Sequence, residues 1–193
     1  MPTGQPSRTP RSARASLGDI EAVTFDLWNT LLYEQPGQLL SARVWVWSRV
    51  LREAGRPQPD AAIREALSAA WRAYDSAWRA GEQFHPQQAA THAVRCLGIP
   101  RAHGLRALLA DAIVSAVSGG DVHLAPDVES TLVSLHGAGL WLGIVCDVGL
   151  TPGRKLRDML ADHGVLRFFS GWAFSDEIGV YKPSPLLYVV DAA

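Results

Sequence analysis

Asp26 follows the run Ile20-Glu21-Ala22-Val23-Thr24-Phe25, short, β-branched and mostly apolar, as expected of a buried strand. A carboxylate there needs donors or a cation around it, or it must be protonated. Either it caps the turn that follows, or it takes part in chemistry at the strand end. Cys146-Asp147 close a second such run, Leu140 to Val145, and Ser175-Asp176 close a third, Gly171 to Phe174. Ligands of open α/β sheets bind outside the carboxyl ends of the strands. These three ends therefore hold the polar groups best placed to meet a small molecule. Cys146 reads either as a reactive thiol or as a buried inert one.

The elements that must position these residues are mostly helical. Residues 38–54 read as a helix that stops at Gly55-Arg56-Pro57. Asp60 is suited to cap a long helix through Ala80, which Gly81 terminates. Residues 86–97 and 104–118 give two more. Pro126 fits the first turn of a helix through His136, Pro152 starts one that runs to His163-Gly164, and Pro183 starts the last. The order is one strand, four helices with no strand, then helix–strand–helix–strand–helix. That order implies an α/β sheet domain carrying a separate helical module. On the second helix Leu67, Trp71, Tyr74 and Trp78 form an aromatic-rich stripe at 4, 3 and 4 spacing, either core between helices or a wall facing a ligand. Trp45 and Trp47 point to different faces of the first helix.

Composition bounds the function. The 193 residues make one ordinary domain with something added. Eighteen basic against nineteen acidic residues leave a net charge of -1, which gives no support for nucleic-acid binding. No apolar stretch approaches the roughly 20 residues that span a bilayer. Two cysteines, Cys96 and Cys146, make no disulfide framework, so a reducing cytoplasm is the expected setting. Residues 1–18 hold Arg8, Arg11 and Arg14, three prolines and no acid, and read as a disordered tail without the apolar core of a secretory signal.

Three blocks in order carry a family resemblance: Asp26-Leu27-Trp28-Asn29-Thr30-Leu31, then Gly143-Ile144-Val145-Cys146-Asp147, then Gly179-Val180-Tyr181-Lys182-Pro183-Ser184-Pro185-Leu186-Leu187-Tyr188. With a helical insert after the first block, the chain from about Asp19 onward resembles the haloacid dehalogenase superfamily of hydrolases. The resemblance implies a Rossmann-like parallel sheet core of α/β class at 19–33 and 120–193, and an inserted helical cap at 34–119. It implies that Asp26 is a nucleophile forming a covalent aspartyl intermediate, which water then hydrolyses. Thr30 would orient Asp26, and Lys182 would neutralise the charge gathered by nucleophile and substrate. Asn29, Thr30, Cys146 and Asp147 are the implied substrate-binding positions. Asp26 and the Trp28 carbonyl are the implied ligands of Mg²⁺.

Three departures shape the functional reading. Superfamily phosphatases have a second Asp two residues after the nucleophile, where this chain has Trp28, which has no acidic proton to give. Dehalogenating members carry an aromatic residue there, and Tyr188 also fits their pattern. Cys146 stands where a Ser or Thr hydroxyl is usual, and Asp147 where dehalogenating members have an amide, a carboxylate that would repel an anionic haloacid. The acidic fourth motif that completes the Mg²⁺ site is missing. The sequence ends in the helix after Lys182, and Asp191 lies in that helix, so the expected sheet is incomplete at its C-terminal side. The leading expectation is a phosphatase-like hydrolase acting on a small phosphorylated substrate. The alternatives are a 2-haloacid dehalogenase, and a truncated or degenerate member with no activity as it stands. A homodimer, or another chain that completes the sheet, is the protein partner left open; no membrane and no nucleic-acid partner is expected.

Overall fold

The computed structural model describes residues 20–100, 103–117 and 122–188. The expected tail at 1–18, residues 118–121 and the helix end around Asp191 lie outside the described residues. Among the described residues no helix is long and apolar enough to cross a membrane.

The chain folds as an α/β protein on a parallel sheet. Strands β1 (Ala22–Phe25), β4 (Trp141–Cys146) and β5 (Gly171–Phe174) lie in the order β1-β4-β5. Phe25 pairs with Ile144, and Cys146 with Phe174. The polar residues after the three strands thus reach one end of the sheet. β4 sits in the middle and is buried from Leu142 to Cys146. β1 departs from the expected buried strand. Its only neighbour among the described residues is β4, so Ala22 and Thr24 stay exposed and Val23 and Phe25 are half-buried.

A second element, absent from the sequence reading, is a two-stranded antiparallel ribbon of β2 (Leu32–Tyr33) and β3 (His123–Leu124). It is too short to leave a periodic pattern. Between its strands come α1 (Gln38–Glu53), α2 (Asp60–Arg79), α3 (Pro86–Cys96) and α4 (His103–Ser115). These helices share one apolar cluster around Trp47, Leu51, Ile63, Leu67, Leu109 and Ile113. Ala66, Ala70, Ala89, Ala90 and Ala93 are all buried, small residues that let α2 and α3 approach closely. Trp47 is fully buried and its Nε1–H donates to the Leu109 carbonyl at 3.0 Å, while Trp45 on the other face is 63% exposed.

The second cluster gathers Leu27, Leu31, Leu32, Leu142, Ile144, Leu156, Met159 and Phe174 around the sheet. Its helices are α5 (Val128–Gly137) and α6 (Gly153–Asp162). Pro152 precedes α6 as expected, but α2 takes Pro59 as its cap residue, with Asp60 the first helical position. Pro183 does not start an α-helix. The Lys182–Pro183 peptide is cis, Ser184 N–H closes a turn on the Tyr181 carbonyl, and the helical segment is a 3-10 turn from Pro185 to Tyr188. Two prolines two residues apart explain this. Pro185 removes a donor, and its ring keeps Ser184 out of the α region.

Candidate active site

The turn after β1 is built to hold a carboxylate outward. The N–H groups of Leu31 and Leu32 converge on the Leu27 carbonyl at 2.9 and 3.0 Å, and that of Thr30 at 3.3 Å. Asn29 takes the left-handed conformation, φ 59°, which Asn tolerates better than most residues. Leu27 and Leu31 are buried under this turn, which leaves Asn29 and Thr30 exposed at its tip. At its start, the Leu27 N–H donates to Asp26 Oδ1 at 2.8 Å. The other oxygen, Oδ2, lies 2.9 Å from Lys182 Nζ, with the two side chains 45% and 28% exposed. Burial pulls the Lys182 ammonium down. The hydrogen bond and charge of Asp26 more than offset this and hold it above its ordinary value.

Cys146 is fully buried beside this pair. Burial first, then the charge of Asp26, pushes its thiol up to about 12, so the thiolate is not formed near neutrality. Asp147, one residue on, accepts two hydrogen bonds. Its Oδ1 takes the Lys182 backbone N–H at 3.1 Å, and its Oδ2 takes the Trp78 indole N–H at 2.9 Å. Ser175 and Asp176 hold the loop between β4 and α6. Ser175 Oγ accepts from Val148 N–H at 3.1 Å, and the Asp176 carboxylate accepts from Gly153 N–H at 3.2 Å. Burial raises Asp176 above the usual carboxylate range, and the Gly153 bond partly opposes it.

The structure therefore brings Asp26, Lys182, Cys146 and Asp147 together. Trp28 is half-buried beyond Leu27, and its backbone bridges to Leu32. Two residues come to this place without having been singled out as site residues. Tyr181, buried, turns its ring edge to Tyr74 at 6.4 Å and accepts the Phe84 N–H at 3.2 Å. Trp78 belongs to the stripe on α2, which divides. Leu67 and Tyr74 are buried, while Trp71 lies against the loop glycine Gly149 and Trp78 reaches Asp147. The stripe's spacing marked the face; it carried no sign that the indole would find a carboxylate far along the chain. A cavity of about 140 Å³ lies between Gln83–Gln87, α4 and the loop after β4. It is lined by Tyr181, Val148 and Asp176, and neither Asp26 nor Lys182 lines it.

No family model matches the sequence. A phosphoglycolate phosphatase of Vibrio cholerae is 38% identical over 64 residues, which are 33% of this chain and only 27% of that protein. Among solved structures, a HAD-hydrolase of Bacillus subtilis bound to magnesium superposes with a TM-score of 0.60 at 16% identity, covering 88% of this chain and 71% of that one. A defluorinating L-2-haloacid dehalogenase gives 0.55 at 16% identity, covering 88% and 66%. The chain has the haloacid dehalogenase fold.

Within the haloacid dehalogenase fold, the magnesium of the Bacillus subtilis structure can be tested against the donors here. Among the described residues no three His, Cys, Asp or Glu side chains are arranged so that together they could hold a metal ion. Asp26 retains exposed carboxylate surface, and the Trp28 carbonyl follows two residues on. One carboxylate and one carbonyl are hard oxygen donors. They suit Mg²⁺, which keeps several waters and binds through one or two carboxylates plus substrate phosphate.

Proposed function

We propose that this chain is a hydrolase that acts on a small phosphorylated substrate through a covalent intermediate on Asp26. The observation that carries the reading is the Asp26–Lys182 contact of 2.9 Å at the end of β1. A carboxylate is a weak nucleophile, so it works only when held in line and when the charge it gathers is met by a fixed cation. In the first step a carboxylate oxygen of Asp26 bonds to phosphorus as the bond from phosphorus to the leaving oxygen breaks. In the second, water hydrolyses the aspartyl phosphate, releasing phosphate and restoring Asp26. Lys182 offsets the negative charge in both steps. Asn29 and Thr30 at the turn tip, and the chain at Cys146 and Asp147, are the positions that would meet the substrate.

Trp28 narrows the substrate. It has no acidic proton for a departing alkoxide. The favoured substrates are those whose leaving group departs as a weakly basic anion, such as aryl or acyl phosphates. Asp26 and the Trp28 carbonyl would hold Mg²⁺, with water and substrate oxygen in its other positions. When bound, the ion supplies charge neutralisation at the phosphoryl oxygens.

The second reading is 2-haloacid dehalogenation, favoured by the aromatic Trp28 and opposed by the negative charge of Asp147, which would repel an anionic haloacid. Incubation with p-nitrophenyl phosphate and with 2-chloropropionate, each with Mg²⁺ and with a chelator, separates the two. Release of phosphate but not chloride supports the phosphatase reading. Chloride release independent of metal replaces it with dehalogenation. Release of neither defeats both.

A further inference from the structure

Lys182 reaches Asp26 from a short segment that is held at two points by α2 and its surroundings. The Lys182 backbone N–H is fixed by Asp147 Oδ1, and the other oxygen of the same carboxylate is fixed by the Trp78 indole. The preceding residue, Tyr181, is buried in the helical cluster, edge-on to Tyr74, with its hydroxyl accepting the Phe84 N–H.

We infer that Asp147 is a positioning residue: its carboxylate, shared between the Trp78 indole and the Lys182 backbone, makes the placement of the Lys182 ammonium depend on α2 lying closed over the strand ends. Two features support this beyond simple proximity. An ionised carboxylate is acceptor-only and has one oxygen for each donor, whereas an amide has a single oxygen. Asp at this position can therefore hold both donors at full strength, which gives the departure from an amide a physical purpose. Second, Tyr181 and Lys182 are adjacent in the chain, so the Tyr181–Phe84 and Asp147–Trp78 bonds constrain the same backbone from two sides. If α2 moves away, Asp147 loses the Trp78 donor that holds it against the Lys182 N–H, and the ammonium is freed from its register with Asp26.

The activity consequence rests on the phosphatase reading, but the coupling does not, and the test separates them. In the full ¹⁵N-labelled chain, amide hydrogen exchange at Lys182 and Phe84 is compared for the parent, Trp78→Phe and Asp147→Asn. Trp78→Phe removes the donor and keeps an aromatic ring, though a smaller one than the indole. The expected result is at least tenfold faster exchange at Lys182 in Trp78→Phe, with β4 amides such as Ile144 unchanged as a control for folding. Asp147→Asn should shift the Trp78 indole ¹H–¹⁵N resonance and also speed Lys182 exchange. On p-nitrophenyl phosphate, Trp78→Phe should lower kcat about tenfold with KM changed less than twofold. Unchanged Lys182 exchange in Trp78→Phe overturns the inference whatever the activity. Faster exchange in a chain without phosphatase activity upholds the coupling and removes only the proposed reaction.

Discussion

Lys182 Nζ lies 2.9 Å from Asp26 Oδ2, although the two residues stand near opposite ends of the described chain. β1 delivers one and the segment beyond β5 delivers the other, with β4 between them in the sheet. If the proposed mechanism holds, Asp26→Ala abolishes turnover. Lys182→Met, which keeps the stem and removes the charge, lowers kcat by about 10²–10³-fold, the usual cost of losing one group that stabilises charge in a transition state. Steady-state rates on p-nitrophenyl phosphate measure both, and Asp26→Asn should be tested beside Asp26→Ala because Asn can slowly deamidate. Retention of most of the turnover in Asp26→Ala would end the covalent mechanism.

The same pair makes a pH prediction. Lys182 is held above its ordinary value of 10.5 in the folded chain by Asp26, against the pull of burial. A base whose folded pKa exceeds its unfolded one binds its proton more tightly when folded. Its stabilising contribution is thus complete below about 10.5 and disappears as the pH rises through the higher folded value. Thermal unfolding followed from about pH 9 to about pH 12 should show an alkaline loss of Tm in the parent chain that is smaller in Lys182→Met. Parallel curves for the two proteins would mean the pair contributes nothing to folding.

The two thiols should separate by reactivity. Cys96 is exposed at the end of α3, and Cys146 is buried with its thiol pushed up to about 12. A disulfide reagent at pH 8 should modify Cys96 in the native protein and reach Cys146 only after denaturation, since the thiolate is the nucleophile. Cys146→Ser puts a stronger donor at the strand end and should raise phosphatase activity by about ten- to a hundredfold, in line with ~1.5–3 kcal/mol for a hydrogen bond to a charged group. Native labelling of both cysteines would contradict the assignment of Cys146 as inert.

Much of this arrangement was legible in the residues, for identifiable reasons. The runs ending at Asp26, Asp147 and Asp176 are apolar and short, so they announced strands whose ends face one way. Glycine and proline marked the limits of α1, α2 and α6 to within a residue, whereas α5 starts at Val128 after Asp127 and leaves Pro126 outside its first turn. Contacts between distant side chains left no local trace, and the role of Trp78 and Tyr181 is of that kind. The ribbon of β2 and β3 was missed because two residues cannot show alternation. The α-helix expected from Pro183 failed because Pro185 constrains Ser184, a conflict that outweighed the preference of proline for a first turn.

Gly153 opens α6 against β5. A Cβ at this position would meet Phe174 side-chain carbons at 2.5 and 2.6 Å, and its Cβ at 2.8 Å, and Phe174 is fully buried. Gly153→Ala should therefore destabilise the fold by roughly 1–3 kcal/mol, as overpacking does, despite the higher helix propensity of Ala. Urea unfolding of the two proteins measures it. Phe174→Leu, which frees space at the ring, should recover part of the loss in the double variant, and an additive loss would rule out a steric cause.

Arg43 on α1 is the one buried arginine among the described residues, 8% exposed. Burial lowers its pKa to about 10, and the nearby charge of Glu34 partly opposes this. Its Nε–H donates to the Ile113 carbonyl at 3.2 Å, and Nη2 donates to Thr151 Oγ1 at 3.1 Å in the loop after β4. Removing one partner of a buried charge leaves its desolvation unopposed, whereas replacing the charge with an apolar chain of similar shape removes that cost as well. Thr151→Val should therefore cost about 1–3 kcal/mol in urea unfolding, while Arg43→Met should cost less than Thr151→Val. The double variant, with neither a charge nor a hydroxyl to satisfy, should be more stable than the sum of the single losses predicts. Strict additivity would show that the guanidinium draws nothing from Thr151, and that the contact joins α1 to the loop by proximity alone.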